Sequence, residues 1–112
     1  MNNLKFRAWD KQQKRMAYGV DVRHGEPMWG GSVWNGAPLM QSTGLFDKNG
    51  KEIYDGDIVQ NEFLSVNKIV FADGGFKVTS GTSVGNYLGH FVENLEVIGN
   101  IYENKNLLNN QN

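Results

Sequence analysis

The chain contains no cysteine, which excludes a disulfide framework and any thiolate zinc site. Its only two histidines, His24 and His90, stand 66 positions apart in no ligand spacing. A three-ligand zinc centre would therefore need carboxylates gathered by folding, and both rings read as loop or packed residues. No phosphate-cradling glycine motif occurs, neither G-x-x-x-x-G-K-[ST] nor G-x-G-x-x-G. No G-x-S-x-G elbow occurs either, so Ser42-Thr43-Gly44 and the run Thr79 to Ser83 read as turn and loop residues. Long apolar runs are missing as well. The N-terminal LKFRAWDKQQKR is charged throughout, so neither a signal peptide nor a membrane span is expected, and the cytoplasm is the default location. No charge surplus exists: 11 Lys and Arg face 12 Asp and Glu, a net charge of −1 with no bulk pull toward nucleic acid or anionic membrane.

What remains is glycine and alternation. Glycine numbers 14 and proline 2 in 112 residues, and the glycines fall between short apolar runs. That pattern predicts many turns and short strands within one domain. LKFRAWD alternates, with Leu4, Phe6 and Ala8 on one face and Lys5, Arg7 and Trp9 on the other. After the polar DKQQK, Met16, Tyr18 and Val20 run in phase, which predicts an N-terminal β-hairpin with one apolar face. From Val22 to Pro38 the glycines and Pro27 predict an irregular loop carrying Trp29 and Trp34. These tryptophans either pack as lids over a core edge or stand exposed for stacking.

The stretch GLFDKNGKEIYDGDIV, Gly44 to Val59, is the most organised. Asn49-Gly50 between alternating apolar residues predicts a hairpin. Two registers fit. A turn centred on Asn49-Gly50 puts Phe46 opposite Ile53, whereas Asp47 opening a type I turn puts Gly50 in the left-handed position. Asp55-Gly56-Asp57 marks a second bend or bulge before Ile58 and Val59. The acidic residues also suggest a calcium loop. Counted from Asp47, however, the fifth position is Lys51 and the twelfth Ile58, where oxygen ligands are required, so that loop is rejected. Paired Asp55 and Asp57 suit a bend equally well and define no glycosidase. KIVF and FKVT around Gly74-Gly75 predict a third hairpin. Leu95 to Tyr102 predicts a closing strand, ENKNLL a single helical turn, and residues 109–112 a disordered tail. The expected fold is mostly β, a small SH3-like or related β-barrel with an N-terminal hairpin and at most one short helix near the C-terminus, spanning 1–108.

KFRAWD, LMQSTGLFDKNGKEIYDGDIV, IVFADGGFKV and EVIGNIYEN together resemble the YopX family of phage and prophage proteins. The resemblance spans most of residues 4 to 108. It implies a mostly-β fold with a small barrel-like core, a phage origin and a place in the cytoplasm of the bacterial host. It implies no catalytic residue.

With no catalytic, metal or cofactor constellation, function is expected to rest on binding. From Leu4 to Arg15 five bases (Lys5, Arg7, Lys11, Lys14, Arg15) face one acid, and from Asp47 to Glu62 five acids face Lys48 and Lys51. These runs are either solvated hairpin faces or complementary edges. A protein-interaction or self-assembling module, meeting a phage or host protein or a second copy, is the favoured expectation. The alternative is nucleic-acid binding through Arg7, Trp9, Lys11, Lys14 and Arg15, with Trp29 or Trp34 stacking; the charge of −1 weighs against it. Gly44, Asn49, Gly50, Gly56, Asp57 and Gly74 are expected to be structural turn residues.

Overall fold

The computed structural model describes residues 5–23, 26–29, 32–33, 37–72, 74–79, 84 and 91–109, with side chains outside 23–36, 91 and 109. The fold is mostly β, with curled antiparallel sheets of barrel-like curvature, an N-terminal hairpin and one short α-helix near the C-terminus, as the alternation predicts. Within the length expected for one domain the chain forms two compact units, Met1–Ser42 and Thr43–Asn112.

In the first unit β1 (Phe6–Asp10) pairs antiparallel with β2 (Arg15–Tyr18), placing Ala8 opposite Ala17, Trp9 opposite Met16 and Arg7 opposite Tyr18. The connecting turn is built by Asp10. Its Oδ1 accepts the N–H groups of Gln12 and Gln13 at 3.0 and 3.2 Å, and Lys14 closes the turn at φ +55°. On its other side β1 pairs with the first half of β6 (Leu39–Phe46), Arg7 opposite Met40 and Ala8 opposite Leu39. Ala8, Ala17 and Val20 form a small core with Phe6, Ala37 and Leu39 packed against it.

Two expectations are corrected here. β1 is covered on both faces, since Arg7, Ala8 and Trp9 are all buried. In β2 the buried residue is Ala17 and Tyr18 is about half exposed, the reverse of the predicted phase. The reason is the register. The tight Ala8–Ala17 pair lets that face close on small side chains, which leaves the larger Met16 and Tyr18 on the face shared with Arg7 and Trp9.

The segment expected to be irregular is a meander. β3 (Asp21–Arg23), β4 (Glu26–Trp29) and β5 (Ser32–Val33) pair antiparallel in that order, with Pro27 opposite Val22. Three short strands therefore form where the glycine count predicted none, and the glycines of this segment lie outside the described residues.

The second unit opens with the other half of β6, which meets β7 (Glu52–Tyr54). A four-stranded sheet follows in the order β10 (Gly75–Val78), β9 (Val66–Ala72), β8 (Asp57–Gln60), β11 (Glu96–Asn100). The central β8 is almost wholly buried. Ile53, Val59, Ile69, Val78, Val84, Val92 and Leu95 form the core, with Leu45, Phe76 and Val97 against it. In the β8–β11 pairing Val97 faces Val59 and Gly99 faces Ile58, so Ile98 is the extra residue of a bulge. A 3₁₀ turn covers Phe91–Asn94, and α1 (Asn106–Asn109) lies beside β9.

Candidate interaction surface

The acidic stretch resolves into structure. Asp47 is 6% exposed. Its N–H donates to the Lys51 carbonyl at 2.8 Å, and Gly50 N–H donates back to the Asp47 carbonyl at 3.0 Å. Gly50 stands at φ +83°, so the type I turn opened by Asp47 is the one formed. The Asp47 carboxylate does more than cap this turn. Oδ1 accepts from Asn49 and Lys51 N–H, each at 2.8 Å, while Oδ2 accepts from Val97 N–H at 2.9 Å. Lys48 N–H donates to the Leu95 carbonyl at 2.9 Å, so the turn is bound along the start of β11.

Asp57, 1% exposed, accepts from Tyr54 N–H at 2.7 Å across the Gly56 bend. Asp55 accepts from Phe71 N–H at 3.2 Å. Gly56, at φ +90°, donates to the Ile69 carbonyl and accepts from Ile101 N–H, at 2.8 and 2.9 Å. Gly44 and Gly74 sit at φ +80° and +81°, conformations that strain a side-chain-bearing residue. Of the five acids from Asp47 to Glu62, Asp47 and Asp57 are buried, Glu52 and Asp55 half-buried and Glu62 exposed, so the expected acidic edge is only partly a surface.

The basic hairpin also shrinks. Arg7 is 1% exposed, its guanidinium 5.9 Å from the centroid of the Tyr18 ring and its Nη1 donating to Tyr18 Oη at 3.5 Å. Trp9 is buried too. The surface part of the expected footprint is Lys11, Lys14 and Arg15 at the turn, with Arg15 Nε 3.4 Å from Asp10 Oδ2. Trp29 lies in β4 with its side chain outside the described residues, and Trp34, His24 and His90 lie outside them altogether. Among the described residues no group of three His, Cys, Asp or Glu is placed to hold a metal ion. No described helix is long and apolar enough to cross a membrane.

Among the described residues the most exposed large apolar side chains are a pair that sequence reasoning passed over. Phe63 and Leu64, 75% and 73% exposed, occupy the β8–β9 loop Asn61–Ser65. The loop is held by one asparagine. Asn61 Oδ1 accepts from Phe63 N–H at 2.8 Å and Ser65 N–H at 3.0 Å. Asn61 N–H donates to the Ser65 carbonyl and Leu64 N–H to the Asn61 carbonyl, at 3.0 and 2.9 Å. Leu64 sits at φ +66°, an uncommon conformation for a bulky side chain. The signal in the sequence is Asn61 followed four positions later by Ser65 around an apolar pair, a side-chain-capped turn whose tip carries Glu62 and Phe63.

The molecule is thus an antiparallel β protein in which several carboxylates serve turns and two large apolar side chains are held out by one braced loop. The family model described as YopX protein matches residues 21–109, and the chain belongs to the YopX family. It is similar to protein EF1440 from Enterococcus faecalis, with 29% identity, a TM-score of 0.75, and coverage of 96% of this chain and 99% of that one. It is also similar to protein yopX from Bacillus subtilis, with 26% identity, a TM-score of 0.60, and coverage of 96% and 98%. Among curated proteins no match is found.

Proposed function

We propose that the protein is a non-enzymatic accessory module, phage-encoded and acting in the bacterial cytoplasm, that works by gripping another protein through the Asn61–Ser65 loop. The observation that carries this reading is the Phe63–Leu64 pair. Two adjacent large apolar side chains, each about three-quarters exposed, are held out by a loop whose backbone is already fixed. A fixed loop has little conformational entropy left to lose on binding, and an aromatic–aliphatic plug is a common kind of interface anchor. Support for a nucleic-acid role is thinner, because Arg7 and Trp9 of its expected footprint are buried and no Lys or Arg lies from Glu52 to Asn67 around the exposed loop.

The test is a low-salt pull-down from host cells, with and without nuclease, comparing wild type with Phe63→Ser/Leu64→Ser. Retained proteins are then purified and titrated against both forms. A purified partner that binds wild type and weakens at least about tenfold with the double variant supports the reading. A partner that binds both forms equally, or retention of nuclease-sensitive nucleic acid alone, would overturn it.

A further inference from the structure

In an Asn-Gly pair the side-chain amide can be attacked by the main-chain nitrogen of the next residue, and glycine leaves that nitrogen uncrowded. Asn49-Gly50 is such a pair, and no other described asparagine precedes a glycine. Lys48, Asn49 and Gly50 are all exposed, so water reaches the amide. The turn nevertheless holds the reacting atoms apart. Gly50 N–H donates to the Asp47 carbonyl at 3.0 Å, and Asp47 Oδ1 accepts from Asn49 and Lys51 N–H at 2.8 Å on either side of it. A type I turn of this kind keeps Asn49 at a ψ of about 0°. Closing a five-membered ring requires the Gly50 nitrogen to eclipse Asn49 Cβ, far from that ψ, which breaks its bond to Asp47. Asp47 Oδ2 and Lys48 N–H tie the same turn to Val97 and Leu95, at 2.9 Å each, so it does not open alone.

We infer that Asn49 is a site of spontaneous deamidation on which the Asp47 turn is the brake, so that the residue converts only as fast as this turn opens. In the open turn the Gly50 nitrogen, its proton lost to solvent, bonds to Asn49 Cγ. The Cγ–Nδ2 bond breaks, and Nδ2 takes up a proton and leaves as ammonia. Water then opens the cyclic imide at either carbonyl. Opening at Cγ gives aspartate. Opening at the main-chain carbonyl gives isoaspartate, whose main chain runs through the former side chain and is one methylene longer. The balance is one water in and one ammonia out, with no oxidant or cofactor. The two products act differently on the fold. Isoaspartate displaces Gly50 and Lys51 N–H from their acceptors on Asp47, and so loosens the turn that borders β11. Aspartate keeps the length of the chain and sets a second carboxylate two positions from that of Asp47.

The experiment incubates the full chain at neutral and mildly alkaline pH, folded and in guanidinium chloride. Mass spectrometry of peptides, with fragmentation, follows conversion at Asn49. Asn35, which precedes Gly36 and lies outside the described residues, is the internal reference in the unfolded chain. Unfolded, the two asparagines should convert alike. Folded, Asn49 should convert roughly tenfold or more slowly than unfolded, and faster as pH rises because the attacking nitrogen must lose its proton. Asp47→Ala should convert several-fold faster than wild type. Should that variant not fold by circular dichroism, Asp47→Asn is the second comparison: its Oδ1 can keep both turn bonds, so it should stay closer to folded wild type than to the unfolded chain. The isoaspartate form, separated by chromatography, should melt below the unmodified protein, and Asn49→Asp should lie between them.

An Asn49 that stays intact in the unfolded chain while Asn35 converts overturns the site. Equal rates in the folded and unfolded chain overturn the brake. An isoaspartate form that melts with the unmodified protein overturns the consequence for the fold.

Discussion

Replacing Asp47 by Asn separates two roles that one carboxylate performs. If Asp47 only shapes its own turn, Asn is a fair substitute, because Asn Oδ1 can accept the same Asn49 and Lys51 N–H groups at 2.8 Å. The third bond cannot be kept. With Oδ1 engaged in the turn, the atom facing Val97 N–H becomes Nδ2, a second donor opposing a donor where Oδ2 accepts at 2.9 Å. Val97 is half-buried and packs against the core, so water cannot freely replace the lost acceptor. Loss of a charge-assisted bond that leaves a donor unsatisfied costs about 1.5–3 kcal/mol. Asp47→Ala also removes the two turn bonds, but Asn49 and Lys51 are exposed and water takes over there, adding only about 0.5–1 kcal/mol. The expected order is therefore wild type, then Asn, then Ala, with the larger step first. At about 4–8 °C per kcal/mol the Asn variant should melt roughly 6–24 °C below wild type. Urea titration followed by tryptophan fluorescence and far-UV circular dichroism would measure both variants. An Asn variant within about 0.3 kcal/mol of wild type, with Ala far below it, would refute the tertiary role and leave Asp47 as a turn residue alone.

Three further outcomes are expected. A Cβ on Gly99 would lie 2.6 Å from Asn104 Cγ and Oδ1 and 2.7 Å from its Cβ, so Gly99→Ala should cost about 1–3 kcal/mol; in an Asn104→Gly background, which removes all three atoms, the cost should fall, and an unchanged cost would show that the contact is not its source. Gly50→Val puts a β-branched residue at φ +83° and should destabilise by about 1–2 kcal/mol, so an unaltered melting temperature would rule out the left-handed turn position. Leu64→Asn relieves a bulky residue at φ +66° and should raise stability by about 0.5–1 kcal/mol while weakening association, so a variant that is less stable would show that Leu64 contributes to the fold after all.

Much of the fold was legible because strands and tight turns write short-range patterns. The hairpins around Lys11 to Lys14, Asn49-Gly50 and Gly74 follow from alternation interrupted by turn residues, and the glycine positions match their positive φ values. What was not legible is where the neighbouring layers lie. Period two separates the faces of a strand, but it cannot tell that both faces of β1 are covered, and so Arg7 and Trp9 read as surface. Nor can it show that a carboxylate fifty positions from Val97 reaches that amide, which is why Asp47 read as a turn residue on an acidic run and not as a tertiary link. The Phe63–Leu64 loop was passed over for a different reason. Apolar residues in a turn look like strand residues until Asn61 is seen closing the turn beneath them. Between Val22 and Pro38 the glycine count hid three strands too short for alternation to register.

The pairing of β11 with β8 and the Asp47 link to Val97 have a consequence for synthesis. The pairings of β1 with β2 and with β6 are all available once residue 42 has left the ribosome. The second unit still lacks a strand then, and that strand ends about 60 residues later, several seconds away at ordinary elongation rates. During that interval one edge of β8 has no neighbour, and the Asp47 carboxylate holds its turn with Oδ2 still waiting for the amide of Val97. The nascent chain is thus most open to mispairing between the emergence of β8 and that of β11, and a slow stretch of translation inside the segment from Ser65 to Leu95 would lengthen that exposure.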